Sequence, residues 1–147
     1  MFDEPPRRPA VIAVANPAGG ADIPVEVNDP AAVQFASRLR KVARERRKWA
    51  AREGVACYRL YDADVPEYAC AIDLYEGAAE AEGELYAHVA EYAPPKSVDP
   101  EQARARFEDV LALVPVVLGI PPEHVFSKSR LRAKGAGSTA TPAVAVS

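Results

Sequence analysis

Hydrophobic residues recur with helical spacing between residues 30 and 53. When the chain is advanced by about 100° per residue, one stripe collects Phe35, Leu39, Val42, Trp49 and Ala50. The opposite side collects Arg40, Lys41, Arg44, Lys48 and Arg52, while Arg46 falls at the apolar edge. Asp29-Pro30 and Gly54 are residue types that begin and end helices. The pattern predicts an amphipathic helix with one face on the protein body and a cationic outer face.

Three segments with strand-type composition follow this helix. They are residues 55–61, 68–75 and 85–93. The second alternates cleanly, with Tyr68, Cys70, Ile72 and Leu74 on one side. The connections, at 62–67 and 76–84, are short. Short connections favour an antiparallel meander.

A second helix is predicted from Asp99-Pro100 onwards, because Glu101-Gln102 completes a capping-box arrangement. Its predicted buried stripe comprises Ala103, Phe107, Val110, Leu111, Val114 and Leu118. We expect Pro115 to kink the helix or end its regular part, and Gly119 to stop it. A last strand is predicted at 124–131. The fold class is therefore α+β: a small antiparallel sheet in the order strand-strand-strand-helix-strand, preceded by the basic amphipathic helix.

The two ends of the chain lack such periodicity. Residues 1–29 carry five prolines and two adjacent glycines, which is typical of a leader or interdomain linker and not of a packed element. The segment 135–147 has no pattern and is expected to be disordered. We therefore expect one folded domain at 30–134, between a disordered leader at 1–29 and a disordered tail at 135–147.

Charge is distributed very unevenly along the chain. Residues 38–52 hold eight basic residues and one acidic residue, a net charge of +7, in a chain whose total is −3. A dense cationic patch is the footprint of a polyanionic partner, most often nucleic acid. The alternative is a solvated helix face whose charges only maintain solubility. We favour RNA contact, because mixed surface charge would serve solubility better.

The composition excludes several other classes of protein. Two cysteines and two histidines, with no metal-type spacing, do not predict a zinc site or a disulfide framework. No apolar run approaches the roughly 20 residues that span a bilayer. The start MFDEPPRRPA does not have the plan of a secretory signal. We expect a cytoplasmic protein with no membrane partner.

Two groups of residues invite a chemical interpretation and also have a structural one. Asp62, Asp64 and Glu67 could serve catalysis or a metal, but a turn rich in Asp and Pro needs no chemistry to explain it. Aromatic residues could stack on RNA bases; they are Trp49, Tyr58, Tyr61, Tyr68 and Tyr75. Trp49 lies on the apolar stripe, so we predict a core anchor. For the strand tyrosines we predict core or rim packing.

Three ordered blocks of the sequence together resemble a known family. They are RLRKVARERRKWAAREGVACYRLYDADVPEYACAIDLY, AHVAEYAPPK and VLGIPPEHVFSKSRLRAKG, within residues 34–138. This stretch resembles the start of the K half, assigned to guanine N7 methylation, of the bifunctional large-subunit ribosomal RNA guanine methyltransferases K/L. The resemblance implies a small substrate-side domain placed before a catalytic domain that uses S-adenosylmethionine, with large-subunit ribosomal RNA as partner.

The resemblance also implies RNA-binding residues in two places. The family's basic helix is expected to lie along RNA, which carries over to Arg38, Arg40, Lys41, Arg44, Arg47, Lys48 and Arg52. The basic end of the last strand matches a stretch suited to phosphate, which carries over to Lys128, Arg130, Arg132 and Lys134. No catalytic, cofactor or metal residue is assigned.

The sequence departs from the family after Ser138, where TATPAVAVS follows. It also contains no glycine-rich loop between a strand and a helix that would hold S-adenosylmethionine. We therefore expect a fragment without the catalytic domain that binds no cofactor and is inactive alone. Two alternatives stay open: a protein-interaction module that complements a separate catalytic methyltransferase chain, and a non-functional truncated remnant.

Overall fold

The computed structural model describes residues 10–76 and 84–129. In chain order the elements are β1 (Ala10–Val14), β2 (Ile23–Val27), α1 (Ala32–Glu53), β3 (Cys57–Asp62), β4 (Cys70–Glu76), β5 (Leu85–Glu91), α2 (Pro100–Leu118) and β6 (Val125–Ser129). A short 3-10 turn, Pro122–His124, leads into β6. The α+β class predicted from the sequence is confirmed.

Strands β3 to β6 form one sheet in sequence order. The first three are antiparallel, with Ile72 of β4 opposite Tyr61 on one side and Val89 on the other, so the predicted meander is confirmed. Strand β6 pairs with β5 in parallel, Val125 lying opposite Ala87. The prediction of a purely antiparallel sheet is therefore wrong for the last strand. The reason is α2, which acts as a crossover and returns the chain in the direction of β5.

The two helices pack against each other and contact the sheet at different places, α1 at β3 and α2 at β6. Phe35 and Leu39 of α1 are buried with Val110 and Val114 of α2 and Ile72 of β4. Both predicted stripes therefore supply core residues. Helix α2 continues past Pro115 to Leu118, so the proline does not end it. Neither helix in the described ranges has the length and apolar content needed to cross a bilayer.

The segment before α1 contains a feature that the sequence did not predict. Within residues 10–29, expected to be disordered linker, β1 and β2 form an antiparallel hairpin in which Val14 faces Ile23. Ile12, Val14 and Val27 are buried in the common core, and the hairpin contacts both helices. The linker prediction is wrong for these residues, because the prolines fall in the loop (Pro17) or in a strand of a two-stranded sheet (Pro24), where a missing N–H is tolerated.

A polar contact joins the start of α1 to the middle of α2. Asp109 is only 2% exposed, and its carboxylate accepts hydrogen bonds from the backbone N–H groups of Asn28 (2.7 Å) and Asp29 (3.1 Å). The Asn28 side chain donates to the Ala105 carbonyl at 3.1 Å. Asp29 in turn accepts from the Ala31 N–H through its own side chain, so the predicted capping residue precedes a short turn and α1 begins at Ala32.

Candidate nucleic-acid interface

Helix α1 presents all the predicted RNA-binding side chains of this region to solvent. Its buried side is occupied by Phe35, Leu39 and Val42, which leaves the charged positions on the outside. The exposed basic residues of the helix are Arg38, Arg40, Lys41, Arg44, Arg46, Arg47, Lys48 and Arg52. Four of them are spaced by four residues, from Arg40 to Arg52, and so form a row about 18 Å long at about 1.5 Å per residue. We call the exposed side that carries this row the cationic face.

The charges of the cationic face are largely uncompensated. Arg38 pairs with Asp64 at 3.1 Å, and both side chains are partly exposed. Within residues 10–76 and 84–129, no other basic residue of α1 forms an ion pair. Like charges four residues apart on a helix destabilise it by roughly 0.2–0.5 kcal/mol per pair. The row therefore costs the folded chain stability, which a solubilising surface with alternating charges would not do.

Of the second predicted group of basic residues, the structure describes only Lys128, which lies away from the cationic face. Lys128 is exposed on β6, at the sheet edge opposite to β3, the strand that α1 contacts. Arg130, Arg132 and Lys134 lie outside the described residues. All four residues stay predictions for phosphate contact.

Trp49 is not the core anchor that its place on the apolar stripe predicted. The residue is 38% exposed, and its ring meets that of Tyr58 edge to face, with centroids 5.9 Å apart and planes at 77°. Burial raises the pKa of Tyr58, while the positive charges of Arg47 and Arg46 act in the opposite direction. The last turns of α1 therefore carry an exposed tryptophan beside the cationic face, held by the half-buried Tyr58 of β3.

The other tyrosines behave as predicted for structural residues. Tyr61 and Tyr68 are buried and pack on Phe35, with ring centroids at 5.1 Å and 5.6 Å. The Tyr61 hydroxyl donates to the Tyr68 carbonyl at 2.8 Å and accepts from the Val65 N–H at 3.2 Å, which holds the turn between β3 and β4. Burial raises the pKa of Tyr68 to about 12. Tyr75 is half-buried in β4.

The carboxylates of the β3–β4 turn are engaged with their neighbours. Asp62 accepts from the Tyr92 hydroxyl at 2.6 Å and pairs with Arg59 at 3.3 Å. Asp64 accepts from the Asp62 N–H and binds Arg38. The part of the chain that the structure describes contains no group of three or more potential ligands placed to hold a metal ion. The turn interpretation accounts for both residues.

A row of aromatic rings on β5, on the 3-10 turn before β6 and on β6 itself was not predicted from the sequence. The Tyr86 ring stacks on His124, with centroids 4.2 Å apart, and lies 6.3 Å from Phe126. The His124 Nδ1 lies 2.9 Å from the Leu85 carbonyl oxygen, and the Phe126 side chain is 39% exposed. Since Ala87 and Val89 point to the core, Tyr86 lies on the opposite sheet face. The alternation of side chains within residues 85–93 could have predicted that Tyr86 lies on the sheet face opposite to Ala87 and Val89.

Comparison with known proteins finds relatives among the ribosomal RNA large subunit methyltransferases K/L. A protein named ribosomal RNA large subunit methyltransferase K/L from Allochromatium vinosum is 50% identical over 113 residues, 77% of this chain and 15% of its own length. Proteins of the same name from Stutzerimonas stutzeri and Methylococcus capsulatus are 54% and 48% identical, over 69% and 77% of this chain. The chain thus spans only 13–15% of the length of these relatives. No family model matches it.

Proposed function

Since most of this chain is homologous to one segment of the ribosomal RNA large subunit methyltransferases K/L, we propose that it is an RNA-binding module of such a methyltransferase. The parent reaction is methyl transfer from S-adenosylmethionine to a guanine of large-subunit RNA, and the module's part is to hold that RNA. The observation that carries the proposal is the cationic face. Of the exposed basic side chains of α1, only Arg38 forms an ion pair within the described residues.

Binding of this kind needs charge more than exact geometry. Phosphate contacts fix the position of a nucleic acid and carry no sequence information. Flexible side chains such as Lys41 and Lys48 suit this purpose, and the row from Arg40 to Arg52 gives several contacts along one strand. We expect weak binding with little sequence preference, in which other parts of a longer protein or a second chain choose the target nucleotide.

The described residues do not fit an S-adenosylmethionine site of the glycine-loop type. Their one parallel strand–helix–strand unit is β5–α2–β6. The segment that enters α2, residues 92–99, contains Pro94 and Pro95 and no glycine, whereas a glycine-rich turn lets the backbone approach such a cofactor closely. We therefore propose RNA binding by α1 as the function of this chain and derive no methyl-transfer step from the described residues.

A second candidate function is a protein-interaction module for a separate catalytic methyltransferase chain. The observation that favours it is the exposed Phe126 next to Tyr86 on the sheet face away from the helices. Titrating RNA and a candidate catalytic chain separately distinguishes the two. Replacing Phe126 by Ser is expected to weaken binding of the catalytic chain and to leave RNA affinity unchanged.

The proposal is tested by reversing charges on and off the cationic face. The double variant Arg44→Glu/Lys48→Glu is compared with a matched double variant on other exposed cations, Lys96→Glu/Arg104→Glu. With a labelled RNA oligonucleotide at low salt, we expect the α1 variant to lose more than about tenfold in affinity and the control variant less than about threefold. The reason is that each lost phosphate contact also removes the favourable contribution of counterion release. Equal losses in both variants would remove α1 from the interface.

The stability of the α1 variant shows whether a loss of affinity is caused by unfolding. The acidic side chains introduced at 44 and 48 would face Arg40 and Arg52 at a spacing that stabilises helices when the charges are opposite. A melting temperature at or above that of the parent is therefore expected for the α1 variant, and lost affinity in it reports on contact with RNA.

A further inference from the structure

We propose that Trp49 is a stacking platform for an unpaired RNA base, so that the ligand of the cationic face is single-stranded RNA. This inference rests on the proposed RNA-binding function and adds to it the class of RNA and one base contact. It starts from the position of Trp49, an exposed aromatic ring within a run of basic residues.

The geometry of the aromatic pair leaves ring surface free for a ligand. In an edge-to-face pair at 77°, the edge of one ring points at the face of the other, so Tyr58 covers at most one face of Trp49. Trp49 is 38% exposed, and the half-buried Tyr58 ring holds its indole from the side of β3. A base stacks on any free aromatic face, because every base has a π-surface of its own.

The surroundings of Trp49 supply the charges that a nucleotide needs. Arg46 and Arg47 are exposed in the preceding turn, and their charges reach the Tyr58 hydroxyl. Lys48 and Arg52 continue the row on the same helix. A strand whose phosphates follow this row therefore passes Trp49. In this arrangement Arg46, which lies off that row, would contact the phosphate next to the stacked base.

A base in a duplex is already stacked on its neighbours and does not reach an aromatic side chain. Proteins that stack bases on aromatic rings accordingly select loops, bulges and single strands. A convex helix side with one exposed ring matches that class of ligand. The preference for single strands is therefore the property that separates this inference from binding by charge alone.

A purely structural function for Trp49 has a different consequence. If the ring served only to cover Tyr58, an aliphatic side chain of similar reach would replace it without affecting RNA. The variant Trp49→Leu keeps such an apolar cover and removes the π-surface, whereas Trp49→Phe keeps an aromatic face. Position 49 is exposed and lies near the end of a helix whose core anchors are Phe35, Leu39 and Val42, so both variants are expected to fold.

The test uses the full chain, in which Trp49 is the single tryptophan and its fluorescence reports on this site alone. The probes are a labelled uridine oligonucleotide and an RNA duplex of equal length. We expect saturable quenching of Trp49 by the single strand. We also expect Trp49→Leu to bind the single strand about 5- to 150-fold more weakly, the range given by one base–aromatic stack. Affinity for the duplex and the salt dependence should be unchanged, and Trp49→Phe should stay close to the parent.

The outcomes separate the two proposals. Unchanged fluorescence, or equal affinity of Trp49→Leu and the parent for the single strand, would overturn the stacking inference while RNA binding stands. Equal weakening of single strand and duplex in Trp49→Leu would also overturn it. Failure of the parent chain to bind either RNA at low salt would overturn the proposed function itself.

Discussion

The carboxylate of Asp109 is buried between α2 and the segment before α1. It accepts hydrogen bonds from the backbone N–H groups of Asn28 and Asp29. In Asp109→Asn the amide offers one acceptor and turns a donor toward the second N–H. We expect a loss of about 1–3 kcal/mol in the free energy of unfolding, the usual cost of leaving a buried polar group unpaired. Urea denaturation measures this loss. A value below about 0.5 kcal/mol would contradict the claim that these two hydrogen bonds stabilise the fold.

The titration of Asp109 gives this contact a characteristic pH dependence. Burial raises the pKa of Asp109 above its usual 3.8, against the opposing effect of the two N–H donors. The folded state then binds more protons than the unfolded state just above pH 3.8, so the contribution of this group to stability falls as pH rises through that window. We expect the stability difference between the parent and Asp109→Asn to be larger at about pH 3 than at about pH 6. The opposite trend would show that the folded pKa is lowered.

Two glycines end the two helices in the left-handed conformation and form a matched pair. Gly54 has φ 70° and open space around it, whereas at Gly119, with φ 71°, an added Cβ would lie 2.9 Å from Cγ of Pro17 in the hairpin loop. Gly54→Ala is expected to cost about 1–2 kcal/mol, the strain of that backbone region. Gly119→Ala should cost more, and adding Pro17→Ala should remove most of the excess. Equal costs by thermal or urea unfolding would show that the loop moves aside freely.

Helical periodicity predicted the burial of Phe35 and Leu39 correctly and that of Trp49 wrongly, for a reason of length. A helix of 22 residues extends about 33 Å, whereas β3, with 6 residues, extends about 20 Å. The last turns of α1 are therefore only partly covered by the sheet. This cover is enough to bury the small Ala50 but not the large Trp49. The angular position of a residue does not contain this information, because the cover depends on the neighbouring strand.

At the scale of the element, α1 should show opposite effects of one substitution on stability and on binding. Arg44→Glu converts two repulsive contacts, with Arg40 and Lys48, into attractive ones. We expect it to raise the unfolding free energy by about 0.5–1 kcal/mol at low ionic strength and less at high salt, because salt screens exposed pairs. RNA affinity should fall in the same variant. A variant that gains stability and binds RNA as well as the parent would show that the charges have another purpose.

The elements that the sequence predicted well have local causes. Asp99 accepts from the Glu101 N–H and Pro100 opens α2, as the capping pattern indicated. The alternation from Tyr68 to Leu74 is buried throughout on one side. The hairpin β1–β2 and the parallel pairing of β6 were missed, because both depend on surfaces supplied by distant segments: the two helices for the hairpin, and β5 for the last strand.

For the molecule as a whole, we expect RNA binding without cofactor binding. The segment that enters α2, residues 92–99, contains no glycine and so lacks the glycine-rich turn that lets a backbone approach such a cofactor closely. Calorimetry of the chain with S-adenosylmethionine should therefore show no saturable heat, and a labelled-methyl assay on undermodified large-subunit RNA no incorporation above a control without protein. Incorporation that appears only after a separate catalytic chain is added would favour the complementation alternative.

The salt dependence of RNA affinity tests the central claim most directly, because it counts phosphate contacts without any assumption about sequence. About four to six contacts along the cationic face give a log–log slope of about −3 to −5. The Arg44→Glu/Lys48→Glu variant should reduce the size of this slope by about 2, and the Lys96→Glu/Arg104→Glu control should leave it unchanged. A slope near zero for the parent chain, or one that the α1 variant does not alter, would contradict the claim that this helix binds RNA.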